Sequence, residues 1–216
     1  MEFSGVTRAY GARLALDDVS LALEPGELTF LVGPSGAGKT TFLKLINREL
    51  RPTKGEVWVD GIPAHALKAS RVAELRRRVG VVFQDYKLLP RLTAKENVAF
   101  GLQVGDLRIS DAEAMDRALD ALEAVGLGDR GSSFPNQLSG GQQQRVAVAR
   151  AMITQPRVLI ADEPTGNLDS HAGAEVMALL HELNVAGRTI VLITHDPEIA
   201  ASANRQVHLR DGRVVS

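Results

Sequence analysis

A strand-to-helix junction built around glycine constrains this chain more than any other feature. The apolar run Leu28–Val32 leads directly into Gly33-Pro34-Ser35-Gly36-Ala37-Gly38-Lys39-Thr40, and a helix-compatible run, 41–47, follows. That order is the context in which a glycine-rich segment becomes a phosphate-binding loop. Gly33, Gly36 and Gly38 let the backbone curl so that successive N–H groups point inward, and the helix adds its positive dipole end to the same hollow. Lys39 then supplies a movable full charge to the outer phosphates, and the Thr40 hydroxyl can ligate Mg²⁺.

Three further apolar runs also end in residues of chemical interest. Residues 79–83 precede Gln84, residues 158–161 precede Asp162, and residues 190–194 precede His195. Continuous runs of this length suit strands buried on both faces of a parallel sheet, where ligands bind beyond the carboxyl ends. The spacing therefore predicts an α/β fold whose strand ends converge on one nucleotide. Residues 56–61 read as a strand entering a turn, and 207–215 as a hairpin around Asp211-Gly212, so an antiparallel β portion is expected beside the mostly parallel core sheet. Residues 84–152 read as a helical subdomain set on a core of 1–83 and 153–216, all within a single domain of 216 residues. Inside it Ser110-Asp111-Ala112-Glu113 has the form of a capping box. Met115, Ala118, Leu119, Leu122 and Val125 follow at helical spacing as core packing, with Gly126 placed to end the helix.

Composition excludes several alternatives. A formal net charge of −1 gives no global electrostatic case for nucleic acid, and Arg76-Arg77-Arg78, without aromatic interleaving, reads as a solvated helix face. The absence of cysteine removes disulfides, thiolate catalysis and cysteine-bound zinc. The N-terminus lacks the basic and apolar regions of a signal peptide, and no segment approaches the roughly 18 apolar residues of a membrane span. A soluble chain is expected, with any membrane role exercised through a partner.

A second glycine motif, Leu138-Ser139-Gly140-Gly141-Gln142, precedes a stretch of good helix propensity. Ser139 is a natural N-cap, and the paired glycines bare backbone N–H groups at the positive helix end, a second anion site. With this motif in place the chain resembles the nucleotide-binding domain of the ABC-type ATPases over essentially its whole length. LSGGQ matches that family's signature, GPSGAGKT its Walker A, Val158 to Asp162 with Glu163 its Walker B and catalytic glutamate, and Gln84, His195 and Asn167-Leu168-Asp169 its Q-, H- and D-loops.

The resemblance implies a P-loop ABC ATPase fold that hydrolyses ATP with Mg²⁺. Under it the nucleotide is held by Tyr10, through adenine stacking, by Gly33, Pro34, Ser35, Gly36, Ala37, Gly38, Lys39, Thr40 and Thr41, and by Ser139, Gly140, Gly141, Gln142 and Asp169. Glu163, His195, Gln84 and Lys39 carry catalysis, and Thr40, Gln84 and Asp162 the metal. It also implies a head-to-tail, ATP-dependent homodimer in which the signature of one copy closes the Walker A of the other.

Within the family, 84–90, 96–100 and 163–169 are similar to the branch holding the cell-division, lipoprotein-release and macrolide-export ATPases. Asp85, the run 76–84 and the bare domain length are most like the cell-division members. Residues 193–198 suit the export members equally. The first likeness implies an FtsX-like integral membrane subunit, with this chain peripheral on the cytoplasmic side of the cell membrane. The second implies a lipoprotein-release or export transporter. The segment after Gln84 carries Tyr86, Leu88 and Leu89, and is expected to meet the membrane subunit.

Overall fold

The computed structural model describes residues 1–105 and 109–215. In chain order its first half contains β1 (Glu2–Tyr10), β2 (Arg13–Ala22), β3 (Leu28–Val32), α1 (Lys39–Ile46), β4 (Lys54–Val59), β5 (Ile62–Pro63), α2 (Val72–Arg77), β6 (Val79–Val82) and α3 (Ala94–Gly105). The second contains α4 (Asp111–Ala124), α5 (Gly140–Met152), β7 (Val158–Asp162), α6 (Ser170–Val185), β8 (Thr189–Thr194), α7 (Pro197–Ala201), β9 (Arg205–Arg210) and β10 (Arg213–Val215).

The expected parallel strands are adjacent, in a six-stranded sheet ordered β10-β9-β3-β8-β7-β6. Pairing is parallel from β9 through β6, with Val32 opposite Thr194 and Asp162 opposite Ile193. Period-two alternation explains why these strands read as unbroken apolar runs. Leu28, Phe30, Leu159, Ala161, Ile190 and Leu192 enter one core with the helices α3 to α6. Leu31, Val158, Ile160, Val191 and Ile193 enter a second with α1 and the antiparallel strands. The helix α5 is buried on nearly every side, at Gly141, Gln144, Val146, Ala147, Val148, Ala149 and Ala151, because it lies between α3, α4, α6 and the sheet.

The antiparallel portion differs from expectation in its membership. A four-stranded sheet, β2-β1-β4-β5, contains the predicted strand before Asp60-Gly61. The hairpin around Asp211-Gly212 instead forms the edge of the parallel sheet, because β9 pairs in parallel with β3. The long hairpin β1–β2 was not legible as a pair; its register shifts at Phe3/Val6, Val6/Arg8 and Arg8/Ala9 interrupt the alternation a strand reading depends on. Phe3 stacks on Phe42 with ring centroids 4.2 Å apart, which fixes this sheet over α1.

In the helical region, Ser110 accepts from the Glu113 N–H as expected, while the Glu113 carboxylate takes Arg117, 2.5 Å away. Gly126, at φ 70°, ends α4 as expected. The arginine run is a helix face: Arg76 donates to the Asn47 carbonyl and Arg78 pairs with Asp60. Among the described residues no helix is long and apolar enough to cross a membrane.

Candidate nucleotide site

The phosphate loop emerges from β3 in the form its glycines demand. A Cβ at Gly33 would lie 2.2 Å from the Leu209 carbonyl oxygen, and one at Gly38, where φ is 113°, 2.5 Å from the Ala15 oxygen. Both approaches exclude a side chain. The helix α1 begins at Lys39 behind a Gly38 cap that offers no side-chain acceptor, and its first turn holds no acidic residue. Its leading N–H groups are thus left for an anion. Lys39 Nζ donates to the Gly33 and Pro34 carbonyls at 2.5 and 3.2 Å, and lies 3.9 Å from Glu163 Oε1.

Glu163 follows directly on β7 and is held from three sides. Its N–H donates to the Ile193 carbonyl at 2.9 Å, Thr194 Oγ1 lies 3.4 Å from Oε2, and His195 Nδ1 lies 2.6 Å from Oε1. A carboxylate oxygen only accepts, so Nδ1 carries the proton and Nε2 is turned away from Glu163. Glu163 itself has φ 49°, a conformation a glutamate adopts only when its surroundings over-determine it. Asp162 stands beside it, half-buried; burial, and secondarily the Glu163 charge, pushes its carboxyl above the ordinary aspartate range, with Lys39 opposing.

Lys39, Asp162 and Glu163 share one cavity of about 520 Å³ with Tyr10, Ser35, Gly36, Gly38, Thr40, Thr41 and Gln84, whereas Gly33, Pro34, Ala37 and His195 are not in its wall. Tyr10, at the end of β1, is 45% exposed, with the Arg8 guanidinium 4.8 Å from its ring centroid. The donors suit a hard divalent cation. Thr40 and Asp162 offer oxygen alone and Gln84 offers its amide oxygen, and a carboxyl whose ionised form is disfavoured is relieved by a cation. Among the described residues no cluster of three or more His, Cys, Asp or Glu could hold a metal ion.

Ser139, Gly140, Gly141, Gln142 and Asp169 lie outside the wall of this cavity. They are ordered instead by local caps. Ser139 Oγ accepts from the Gln142 N–H at 3.3 Å and Gln142 Oε1 accepts from the Ser139 N–H at 2.9 Å, so the Gln142 side chain is used in starting α5. Asp169 Oδ1 caps α6 through the Ala172 N–H at 2.9 Å. Gly140 and Gly141 are pressed against the segment after β7 and the start of α6: added Cβ atoms would meet Leu168 and Ala172 at 3.1 and 2.9 Å.

Sequence reasoning missed three contributors. Arg13, opening β2, lines the cavity, and nothing in its neighbourhood distinguishes it from other arginines. Gln144, fully buried in α5, donates to the Pro164 carbonyl at 2.8 Å and ties the signature helix to the segment after Glu163. Asn97, also fully buried, donates to the carbonyls of Leu89, Leu92 and Thr93 and accepts from the Leu89 N–H at 2.7 Å, pinning the loop after Gln84. A polar residue within an apolar helical stripe was the available signal for both. Tyr86 and Leu88 pack inward against the helical core, whereas Leu89 is 37% exposed, so the expected apolar surface after Gln84 is narrower than the sequence suggested.

What this geometry can do is narrow: receive a polyphosphate on a helix end, neutralise its outer charge with Lys39, and hold an activated water against Glu163. That is the work of a P-loop nucleoside triphosphatase. Residues 16–166 match the model of the ABC transporter family, and the chain belongs to that family. Along its whole length it is 45% identical to the cell division ATP-binding protein FtsE of Bacillus subtilis (strain 168), of which 94% is covered. It is also 45% identical, again over its whole length, to the macrolide export ATP-binding/permease protein MacB of Hyphomonas neptunium (strain ATCC 15444), of which 34% is covered. The dimeric post-hydrolysis structure of the ATP-binding cassette MJ0796, bound to ADP and Pi, matches with a TM-score of 0.89 at 40% identity, over 100% of this chain and 96% of that one. The chain is an ATPase of the ABC type.

Proposed function

We propose that this chain is the ATP-hydrolysing subunit of a membrane complex that acts in cell division, coupled to an FtsX-like integral membrane subunit and peripheral to the membrane through it. The observation that carries this reading is the 45% identity to FtsE along the whole chain, joined to an intact Lys39–Asp162–Glu163 cavity. Thr40, Asp162 and Gln84 are the residues that would hold Mg²⁺, which would supply charge neutralisation at the phosphates. Glu163 orients and deprotonates the attacking water, and His195 fixes Glu163. Tyr10 stacks on the adenine. Ser139, Gly140 and Gly141 of a second copy close the phosphate cage, which agrees with their lying outside the cavity of their own chain.

The membrane subunit is assigned to a groove of about 500 Å³ walled by Phe83, Leu89 and Phe100. Residues 84–152 are the part that moves as the nucleotide state changes. The alternative reading, the ATPase of a lipoprotein-release or export transporter, is supported by the 45% identity to MacB, of which the chain covers 34%. Co-purification separates the two. Capture of an FtsX-like subunit from membranes of the source cell supports the first, and capture of a permease with a large export-type periplasmic region replaces it with the second.

A further inference from the structure

Gln84 and Asn167 are joined by two hydrogen bonds across 83 residues of chain. Asn167 Nδ2 donates to the Gln84 main-chain carbonyl at 3.0 Å, and Gln84 Nε2 donates to Asn167 Oδ1 at 3.3 Å. The first bond decides the second. A main-chain carbonyl can only accept, so the Asn167 amide must present its nitrogen there, and its oxygen is thereby turned towards the Gln84 side chain. That oxygen in turn can only accept, so the Gln84 amide must present its nitrogen to Asn167 and its oxygen to the opposite side. Gln84 lines the nucleotide cavity together with Thr40 and Asp162. Gly166 lies against the same nitrogen end of the amide: a Cβ there would lie 2.8 Å from Gln84 Nε2 and 3.2 Å from Cδ.

From this relay we infer that Asn167 is a positioning residue for the ATPase reaction, fixing which end of the Gln84 amide faces the divalent cation. It rests on the reading of Gln84 as a metal ligand given above. A glutamine amide free to turn presents N–H₂ to the cation in one of its two orientations, which repels it. Asn167 removes that orientation before the metal arrives, so less ordering remains to be done on binding. Gly166 is small because the amide lies against it, and a methyl group there displaces the flexible end of Gln84 rather than the backbone.

The test is a Mg²⁺ titration of fluorescent ATP-analogue binding by the full chain carrying Glu163→Gln, so that no turnover intervenes. Gln84→Ala is the reference and is expected to raise the half-saturating Mg²⁺ concentration. Asn167→Ala is expected to raise it roughly two- to tenfold, the range one net hydrogen bond supports, with binding in excess chelator unchanged. Gly166→Ala should move it in the same direction while leaving every donor and acceptor of Asn167 in place. In a Gln84→Glu background, where both ends of the side chain are oxygen, Asn167→Ala should leave the Mg²⁺ requirement where it is or lower it. A shift with Gln84→Ala but none with Asn167→Ala or Gly166→Ala overturns the positioning role and leaves the metal reading standing. An equal rise from Asn167→Ala in the Gln84→Glu background also overturns it, since the effect then does not pass through the amide. If Gln84→Ala itself moves nothing, the metal reading fails and this inference falls with it.

Discussion

Lys39, Asp162 and Glu163 make different demands on the same small volume, and each can be isolated by one substitution. Lys39 Nζ is held by two loop carbonyls 2.5 and 3.2 Å away, poised at the helix end where the outer phosphates arrive. Lys39→Ala should weaken ATP binding by roughly ten- to a hundredfold, the range for losing a charge-assisted hydrogen bond, and abolish turnover. Unchanged affinity in an equilibrium titration with a labelled ATP analogue would refute the assignment. Glu163→Gln keeps the shape of the side chain but not the charge that activates water, so binding should persist while turnover falls roughly 10²- to 10⁴-fold. Asp162 carries a pH signature. Its carboxyl titrates above the ordinary value of 3.8 because burial and Glu163 disfavour ionisation. Between those two values the native state binds more protons than the unfolded chain, so this group's contribution to stability is lost as pH rises through the window. Asp162→Asn should therefore be the more thermostable form without nucleotide, by a margin that opens as pH rises, yet fail in Mg²⁺-dependent turnover. Melting curves of both proteins from pH 4 to 8 that ran parallel would show that Asp162 is not strained by its neighbours.

The elements divide sharply by how well the sequence announced them. The strands β3, β6, β7 and β8 were legible because both faces are buried, which leaves unbroken apolar runs, and because each ends in a residue with chemistry to do. Among the helices, α4 and α5 were legible from Ser110 and Ser139, the caps that begin them. The antiparallel sheet was mostly opaque, since exposure of one face and the shifts in β1 mix its pattern. The cavity residues at strand ends could be read one by one. Asn97, Gln144 and the Gln84–Asn167 pair could not, because their partners are main-chain groups or side chains far away in the chain. Tyr86 shows the same limit. As one apolar residue among several after Gln84 it reads as surface, but in the fold its hydroxyl lies 2.9 Å from where a Gly140 Cβ would be. Burial also raises its phenol pKa. Leu89 and Phe100, which are 37% and 42% exposed on one groove, are the residues through which docking is tested. Leu89→Asp and Phe100→Asp should spare the basal ATPase rate of the isolated chain and break co-purification with the membrane subunit. If both variants still capture it, the interface lies elsewhere.

At the scale of the whole molecule, the cavity around Lys39 does not include the helix end at Ser139 of the same chain. In the proposed dimer each would supply half of what a triphosphate needs: one a loop, a lysine and a base, the other the positive end of α5 with its Ser139 hydroxyl. In the proposed head-to-tail pair of copies the halves would be joined twice, and if ATP binds the dimer in preference to the monomer, mass action would make dimerisation depend on nucleotide. Glu163→Gln protein should therefore elute as a dimer with Mg-ATP and as a monomer without it. Complementation between two inactive variants tests the arrangement itself. Ser139→Arg should leave the first ATP bound but block the partner's γ-phosphate from the helix end, while Lys39→Ala damages the other half. Each homodimer then has two broken sites. In the mixed dimer both lesions fall on one composite site and the other is intact, so mixing the two inactive proteins should restore up to about half of the wild-type rate per mixed dimer if one site turns over alone. A Ser139→Arg protein with normal turnover by itself would show that the signature of the partner is not part of the site.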